Sequence, residues 1–175
     1  MLSIVLHQPE IPFNTGAIGR TCVATGSLLH LIYPLGFIIN DKYVKRAGMD
    51  YWPKLDLHEY NDYEAFTEQH RELGYNGEES CTGPKLWFAT TKARQCSSDV
   101  KFGPDDYIMF GKESAGIPEE ILVEHPEACI RIPMLGETRS LNLSNSVAIV
   151  LYEALRQNDF LNLNEVGNLH RLSWD

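Results

Sequence analysis

Five of the seven residues in Arg139-Ser140-Leu141-Asn142-Leu143-Ser144-Asn145 have side chains that can hydrogen-bond. They follow an apolar run, Cys129 to Ile132, and a Pro/Gly loop, Pro133-Met134-Leu135-Gly136. An ordinary helix start is satisfied by one capping side chain, so the surplus suits a ligand held by backbone groups and small polar side chains. The same cluster also fits a generous N-cap on a solvent-facing helix. Three further stretches carry comparable groups. Gly111-Lys112-Glu113-Ser114-Ala115-Gly116 places a carboxylate between glycines, Thr90 to Lys92 closes an apolar run, and Asn14-Thr15-Gly16 leads to Arg20. Together they suit chemistry that positions reactants more than covalent catalysis.

Familiar catalytic patterns do not fit. A phosphate loop needs Lys and Ser or Thr directly after its second glycine, and Ile117-Pro118 stand there. Lys112 and Glu113 lie between Gly111 and Ser114, so a G-x-S-x-G nucleophile turn is absent. No G-x-G-x-x-G follows the first strand, and the six histidines lack metal-ligand spacing.

The elements that must position these groups follow from periodicity. Leu2 to Leu6 reads as a strand, and His7 to Phe13 as a proline-punctuated loop. A helix capped by Asn14 or Thr15 runs to Thr25 and ends at Gly26. Strands are expected at Leu28 to Tyr33, Leu55 to His58, Lys85 to Thr90, Asp106 to Gly111 and Cys129 to Ile132. Helices are expected at Lys42 to Gly48 (short and basic), Tyr63 to Leu73, Pro118 to Val123 and Asn142 to Gln157. The last has an apolar stripe of Val147, Leu151, Ala154 and Leu155. Alternating strands and helices predict an α/β domain with a mostly parallel sheet flanked by helices. In such sheets ligands bind beyond the carboxyl ends of the strands, where the polar stretches fall.

A chain of 175 residues with 43% apolar and 22% charged residues suits one globular domain, placed at residues 1–157. No apolar run reaches the ~20 residues that span a bilayer, and the first residues lack signal-peptide features. The cytoplasm is therefore the expected compartment. The four cysteines form no C-x-x-C pair, and Cys22 and Cys129 read as buried free thiols. Net charge is 15 − 24 = −9, which argues against general nucleic-acid affinity but leaves room for a local basic site. Such a site could draw on Lys42, Lys45 and Arg46, on Lys92 and Arg94, or on Arg131 and Arg139.

Three ordered motifs carry a family resemblance. Ile4-Val5-Leu6 with Pro9-Glu10-Ile11-Pro12, Asn14-Thr15-Gly16 and Arg20 form the first. Phe110 to Pro118 forms the second, and Ile132-Pro133-Met134 with Arg139 to Val147 the third. The chain resembles the SpoU branch of the SPOUT RNA methyltransferases, to about Gln157; residues 158–175 form a tail with no assigned role. The resemblance implies S-adenosylmethionine as methyl donor and a ribose 2′-hydroxyl as acceptor. It points to the minimal members of the branch, which act on the wobble pyrimidine in the anticodon loop of tRNA, with leucine tRNAs as expected substrates and no DNA or membrane partner. It further implies a homodimer and a C-terminal trefoil knot. A catalytically silent RNA-binding domain and a nucleotide-binding α/β domain are the rival readings.

By the same resemblance, Thr90, Gly111, Ile132 and Ser140 line the cofactor pocket, the first three largely through backbone groups. The catalytic set is Arg20, Glu113 and Asn142. A guanidinium with a pKa above ~12 is a poor base, so Arg20 is read as a phosphate clamp, with the RNA or water taking the proton. Glu113 would hold a ribose hydroxyl or orient Arg20. Asn142 and Asn145 would order the loop and the acceptor, although Asn142 could be only a helix cap. Asn14, Lys92, Arg131, Asn145 and Tyr152 make up the substrate set. Asn14 could serve as a cap instead, and Tyr152 falls where the family places its dimer contact.

Overall fold

The computed structural model describes residues 1–39, 51–77, 82–136 and 139–174. The predicted basic helix at Lys42 to Gly48 lies outside these residues. Six strands form one sheet: β1 Ser3–His7, β2 Leu28–Ile32, β3 Leu57–Tyr60, β4 Leu86–Ala89, β5 Tyr107–Phe110 and β6 Cys129–Ile130. Their order is β3-β2-β1-β5-β4-β6, and every pairing is parallel. The helices are α1 Pro12–Thr25, α2 Tyr63–Gln69, α3 Glu119–Glu124 and α4 Leu143–Gln157. Short 3-10 turns occupy Trp52–Lys54 and Pro126–Ala128. No helix among the described residues is long and apolar enough to cross a membrane.

The strands read as unbroken apolar runs because both faces of the sheet are covered. Alternate residues serve opposite cores. Ile4, Leu6, Leu29, Leu31, Ile108 and Phe110 pack with Ile18 and Cys22 of α1 and with Val147, Val150 and Leu151 of α4. Val5, Ile32, Met109 and Phe88 pack with Phe66 of α2 and Leu122 of α3. Burial pushes the Cys22 thiol up to about 12, so it stays a protonated packing group.

The expected α/β class is the observed one, with local differences. α1 starts at Pro12, with Ile11 at the N-cap and no side chain capping it. Neither Asn14 nor Thr15 is the cap, and Pro12 and Phe13 are helical, because proline suits the first helical turn. Gly26 does close α1 in the left-handed region at φ 68°. Pro118 is the N-cap of α3 rather than its first residue. The last strand stops at Ile130, since the next residue bonds elsewhere: Arg131 N–H donates to Gln95 O at 3.0 Å.

One buried carboxylate ties the amino ends of the strands. Asp106 accepts from Trp87 Nε1 at 2.7 Å, from Lys85 N–H at 2.9 Å and from Gly103 N–H at 2.8 Å.

On the α2 face, His30 is fully buried and its Nδ1 lies 2.8 Å from the Tyr60 hydroxyl, which in turn lies 2.8 Å from His70 Nε2. Burial, helped by the nearby His58 and His70 imidazoles, pushes His30 down to about 3 from 6.5. It is neutral when folded, but in the unfolded chain it takes a proton below 6.5. The unfolded state then binds more protons, so stability falls as pH drops from 6.5 toward 3, by up to about 1.4 kcal/mol per pH unit for this group. Urea denaturation at pH 7.5, 6 and 5 should show this loss, with a shallower slope in His30→Phe. An identical slope in the variant would refute the assignment.

Candidate active site

The sheet changes direction between β1 and β5. The chain leaves β1 toward β2 on one side and leaves β5 toward β6 on the other. Parallel strands share one carboxyl end, so the loops after β1, β4, β5 and β6 meet above this point. They enclose a cavity of about 440 Å³ with the start of α4, within the usual size of a small-molecule site. Its lining includes Asn14, Thr90, Lys92, Gly111, Glu113, Arg131, Ile132, Ser140 and Asn142. Arg20, Asn145 and Tyr152, also expected at the site, do not line it.

A polar chain runs across the cavity. Asn14 is buried at the start of α1, and its Nδ2 donates to Glu113 Oε1 at 2.9 Å. Its Oδ1 accepts from Asn142 Nδ2 at 3.0 Å. Asn142 Oδ1 accepts from the N–H groups of Ser144 at 3.0 Å and Asn145 at 3.4 Å, and from the Ser144 hydroxyl at 2.7 Å. Asn142 is thus both the cap of α4 and a link between two cavity walls. Capping of this kind is worth about 1 kcal/mol.

Glu113 lies across the start of α1. It accepts from Glu10 N–H at 2.8 Å, Ile11 N–H at 3.3 Å and Asn14 Nδ2 at 2.9 Å. A helix N-terminus favours negative charge, and this carboxylate sits there, satisfying the N–H groups of the two residues just ahead of Pro12. Arg20 sits farther along α1 with its guanidinium 5.0 Å from the centre of the Tyr51 ring, while the Tyr51 hydroxyl donates to Gly16 O at 2.5 Å.

Gly111 marks the tightest point. A Cβ there would stand 2.0 Å from the Gly116 carbonyl carbon and 2.1 Å from the Ile117 nitrogen. The loop folds back on itself, with Gly116 N–H donating to Lys112 O at 2.8 Å and Gly116 at φ 75°. Backbone therefore forms this wall, as a flat ring lying close to it would require.

The cations are placed unequally. Lys92 Nζ pairs with Glu119 Oε1 at 2.8 Å, an exposed contact that pulls the Glu119 carboxyl below its usual range. Arg139 Nη2 donates to Ser114 O at 3.2 Å. Arg139, expected as part of a local basic site, lines the cavity, and so do Lys112 and Ser114 of the Gly111–Gly116 stretch, to which the sequence attaches no individual role. Glu10, named only as part of the first motif, has bonding partners 103 and 104 residues away. No local pattern could have signalled those.

These residues suit S-adenosylmethionine. A backbone cradle at Gly111, apolar walls from Ile132, Met134 and Leu141, and polar groups from Thr90 and Ser140 match an adenosyl group with a charged, polar end.

The profile of the SpoU rRNA Methylase family matches residues 1–152. A tRNA (cytidine(34)-2'-O)-methyltransferase from Photorhabdus asymbiotica is 48% identical over 158 residues, covering 90% of this chain and 94% of its own. A solved structure described as giving insight into 2-OH methylation of C/U34 on tRNA superposes with a TM-score of 0.79 at 41% identity. It covers 91% of this chain and 97% of that one. An AdoMet-bound rRNA methyltransferase from Sinorhizobium meliloti superposes with a TM-score of 0.73 at 25% identity, over 89% of this chain and 56% of that one. With its motifs, parallel sheet and cavity in agreement, the chain belongs to the SpoU rRNA Methylase family.

Proposed function

We propose that this protein methylates the ribose 2′-hydroxyl of the wobble pyrimidine in tRNA, using S-adenosylmethionine. The observation that carries this reading is the cavity at the switch point, walled by Gly111, Ile132 and Ser140 and crossed by the Glu113–Asn14–Asn142 chain. Relatives named for this reaction match almost end to end. When bound, S-adenosylmethionine supplies a methyl group on a sulfonium centre. The protein must then hold the acceptor in line and lower the cost of losing its proton. Gly111, Thr90, Ile132 and Ser140 would hold the cofactor. Asn14 and Asn142 lock each other's amide orientation, and Glu113 fixes both. Together they form a rigid edge for the acceptor ribose, while Arg131 and Lys92 meet phosphates.

The same reading carries the trefoil knot and a homodimer. α1 and α4 pack side by side, and they leave Phe13, Ile149 and Tyr152 exposed. Arg20 is exposed on α1 as well. A second copy would cover this apolar face and bring an Arg20 to a site its own chain does not reach. A sedimentation experiment should give a dimer, and Tyr152→Asp with Ile149→Asp a monomer.

Mass spectrometry of tRNA nucleosides from cells lacking the gene tests the substrate. Loss of wobble 2′-O-methylation is expected, and an unchanged level would defeat the assignment. For the clamp, Arg20→Lys keeps the charge but loses the planar fork, so methyl transfer should fall about tenfold or more. Near-full activity would refute it.

A further inference from the structure

The contacts that join the loops converge on Ser114, and one of the residues holding it has no role in the reading above. Glu10 lies in the loop between β1 and α1, outside the cavity lining. Its carboxylate accepts the Ser114 N–H at 2.9 Å through Oε2 and the Ser114 hydroxyl at 2.9 Å through Oε1. In return, Glu10 N–H donates to Glu113 at 2.8 Å. The two loops therefore cap each other, each giving an N–H to a carboxylate of the other. Bonds from Ser114 draw the Glu10 carboxyl below its usual range, which keeps it an acceptor at neutral pH.

Ser114 passes this constraint on, because its carbonyl accepts from Arg139 Nη2 at 3.2 Å. That contact occupies one of five guanidinium N–H groups, and the rest of the side chain lines the cavity at an exposed position. A free arginine stem samples many rotamers. One bond to a fixed carbonyl turns the planar fork toward a defined direction, which is what bidentate phosphate binding needs. Glu10 is also backed from behind. Gly36 N–H donates to Pro9 O at 2.9 Å, and a Cβ on Gly36 would stand 2.7 Å from Glu10 Cα. The backbone of Glu10 has no room to retreat on that side.

We infer that Glu10 is a positioning residue: acting through Ser114, it aims Arg139 at the cavity mouth, where Arg139 holds a phosphate of the RNA strand next to the acceptor ribose. This rests on the RNA 2′-O-methyltransferase reading. A mere tie between loops would instead weaken cofactor binding, RNA binding and stability together.

The test uses the full chain and an unmodified tRNA transcript with a wobble pyrimidine, with methyl transfer measured against tRNA concentration at saturating S-adenosylmethionine. Calorimetry with S-adenosylhomocysteine runs in parallel. Glu10→Ala is expected to raise KM for tRNA about tenfold, with kcat and S-adenosylhomocysteine affinity within about twofold of wild type. Glu10→Gln should recover most of the loss, since its carbonyl can accept the Ser114 N–H and its amide can donate to the hydroxyl. Arg139→Ala should reproduce the KM defect, and the double variant should be no worse than Arg139→Ala alone. An unchanged KM in Glu10→Ala, an equal loss of S-adenosylhomocysteine affinity, or additive effects in the double variant would overturn the inference. Wild type that binds S-adenosylhomocysteine yet leaves the transcript unmethylated would overturn the functional reading and this inference with it. An active wild type with an unaffected Glu10→Ala would overturn this inference alone.

Discussion

Gly111→Ala is expected to remove detectable S-adenosylhomocysteine binding and to lower methyl transfer by about a hundredfold or more. The added methyl carbon would stand 2.0 Å from the Gly116 carbonyl carbon, 2.1 Å from Ile117 N and 2.5 Å from Gly116 O. All three atoms are backbone, so no side chain can rotate aside. Relief requires the loop after β5 to shift by more than about 1 Å, and displacements of that size at a reacting centre cost about two orders of magnitude. Over-packing of a tight site adds about 1–3 kcal/mol of destabilisation, so unfolding should be followed alongside calorimetry. Gly136→Ala is the matched control, because a Cβ there meets nothing within 4 Å. Wild-type affinity in Gly111→Ala would show that this loop does not form the cofactor wall.

Asp106→Ala should produce the largest loss of stability. The substitution strips the acceptor from the Trp87 indole N–H and from the backbone N–H groups of Lys85 and Gly103. Trp87 is fully buried, so its donor has no water to turn to. An abandoned buried donor costs about 1–3 kcal/mol, and three that share one acceptor do not add fully, which gives about 3–5 kcal/mol in total. In a chain of this size each kcal/mol moves Tm by about 2–4 °C, so calorimetry should show a fall near 10 °C. Asp106→Asn keeps one acceptor oxygen and should lie in between. Asp106 precedes β5, at the opposite end of the strands from the cavity, so folded Asp106→Ala should bind S-adenosylhomocysteine normally at low temperature. A Tm within a degree or two of wild type would contradict the role assigned to this carboxylate.

How far the residues alone could be read depended on whether their partners were local. The strands were legible because burial on both faces leaves nearly continuous apolar runs such as Ile4-Val5-Leu6 and Leu86-Trp87-Phe88. Asn142 was legible as a cap because the N–H groups it accepts lie two and three residues on. Asn14 has the same chemistry, but the sequence leaves it open between a cap and a site residue, since its bonds reach Glu113 and Asn142, 99 and 128 residues away. The start of α1 was also hidden. The Ile11 side chain cannot cap, and the residue that fixes the chain entering α1 is Glu113, supplied by the loop after β5, which accepts the N–H groups of Glu10 and Ile11. Strand order was out of reach in the same way: β5 sits between β1 and β4, and no sequence period encodes that insertion. The motifs named the loops that carry the site; only the fold places Arg20 and Tyr152 outside the cavity and Arg139 inside its rim.

The insertion of β5 beside β1 also bears on how the protein is made. Ser3 to Leu6 pairs with Tyr107 to Phe110, so the central ladder of the sheet joins segments about a hundred residues apart. Closing such a loop has an entropic cost before any contact repays it, and folding rates fall as contacts become less local. On a translating ribosome, Glu10 and Asn14 would emerge before their partners and wait for Glu113, Ser114 and finally Asn142. Until α4 has been synthesised the cavity has no third wall, so a nascent chain should have no cofactor affinity. Binding competence should arrive in one step once α4 is complete, and chains stopped before Asn142 should neither bind cofactor nor retain a fraction of the activity.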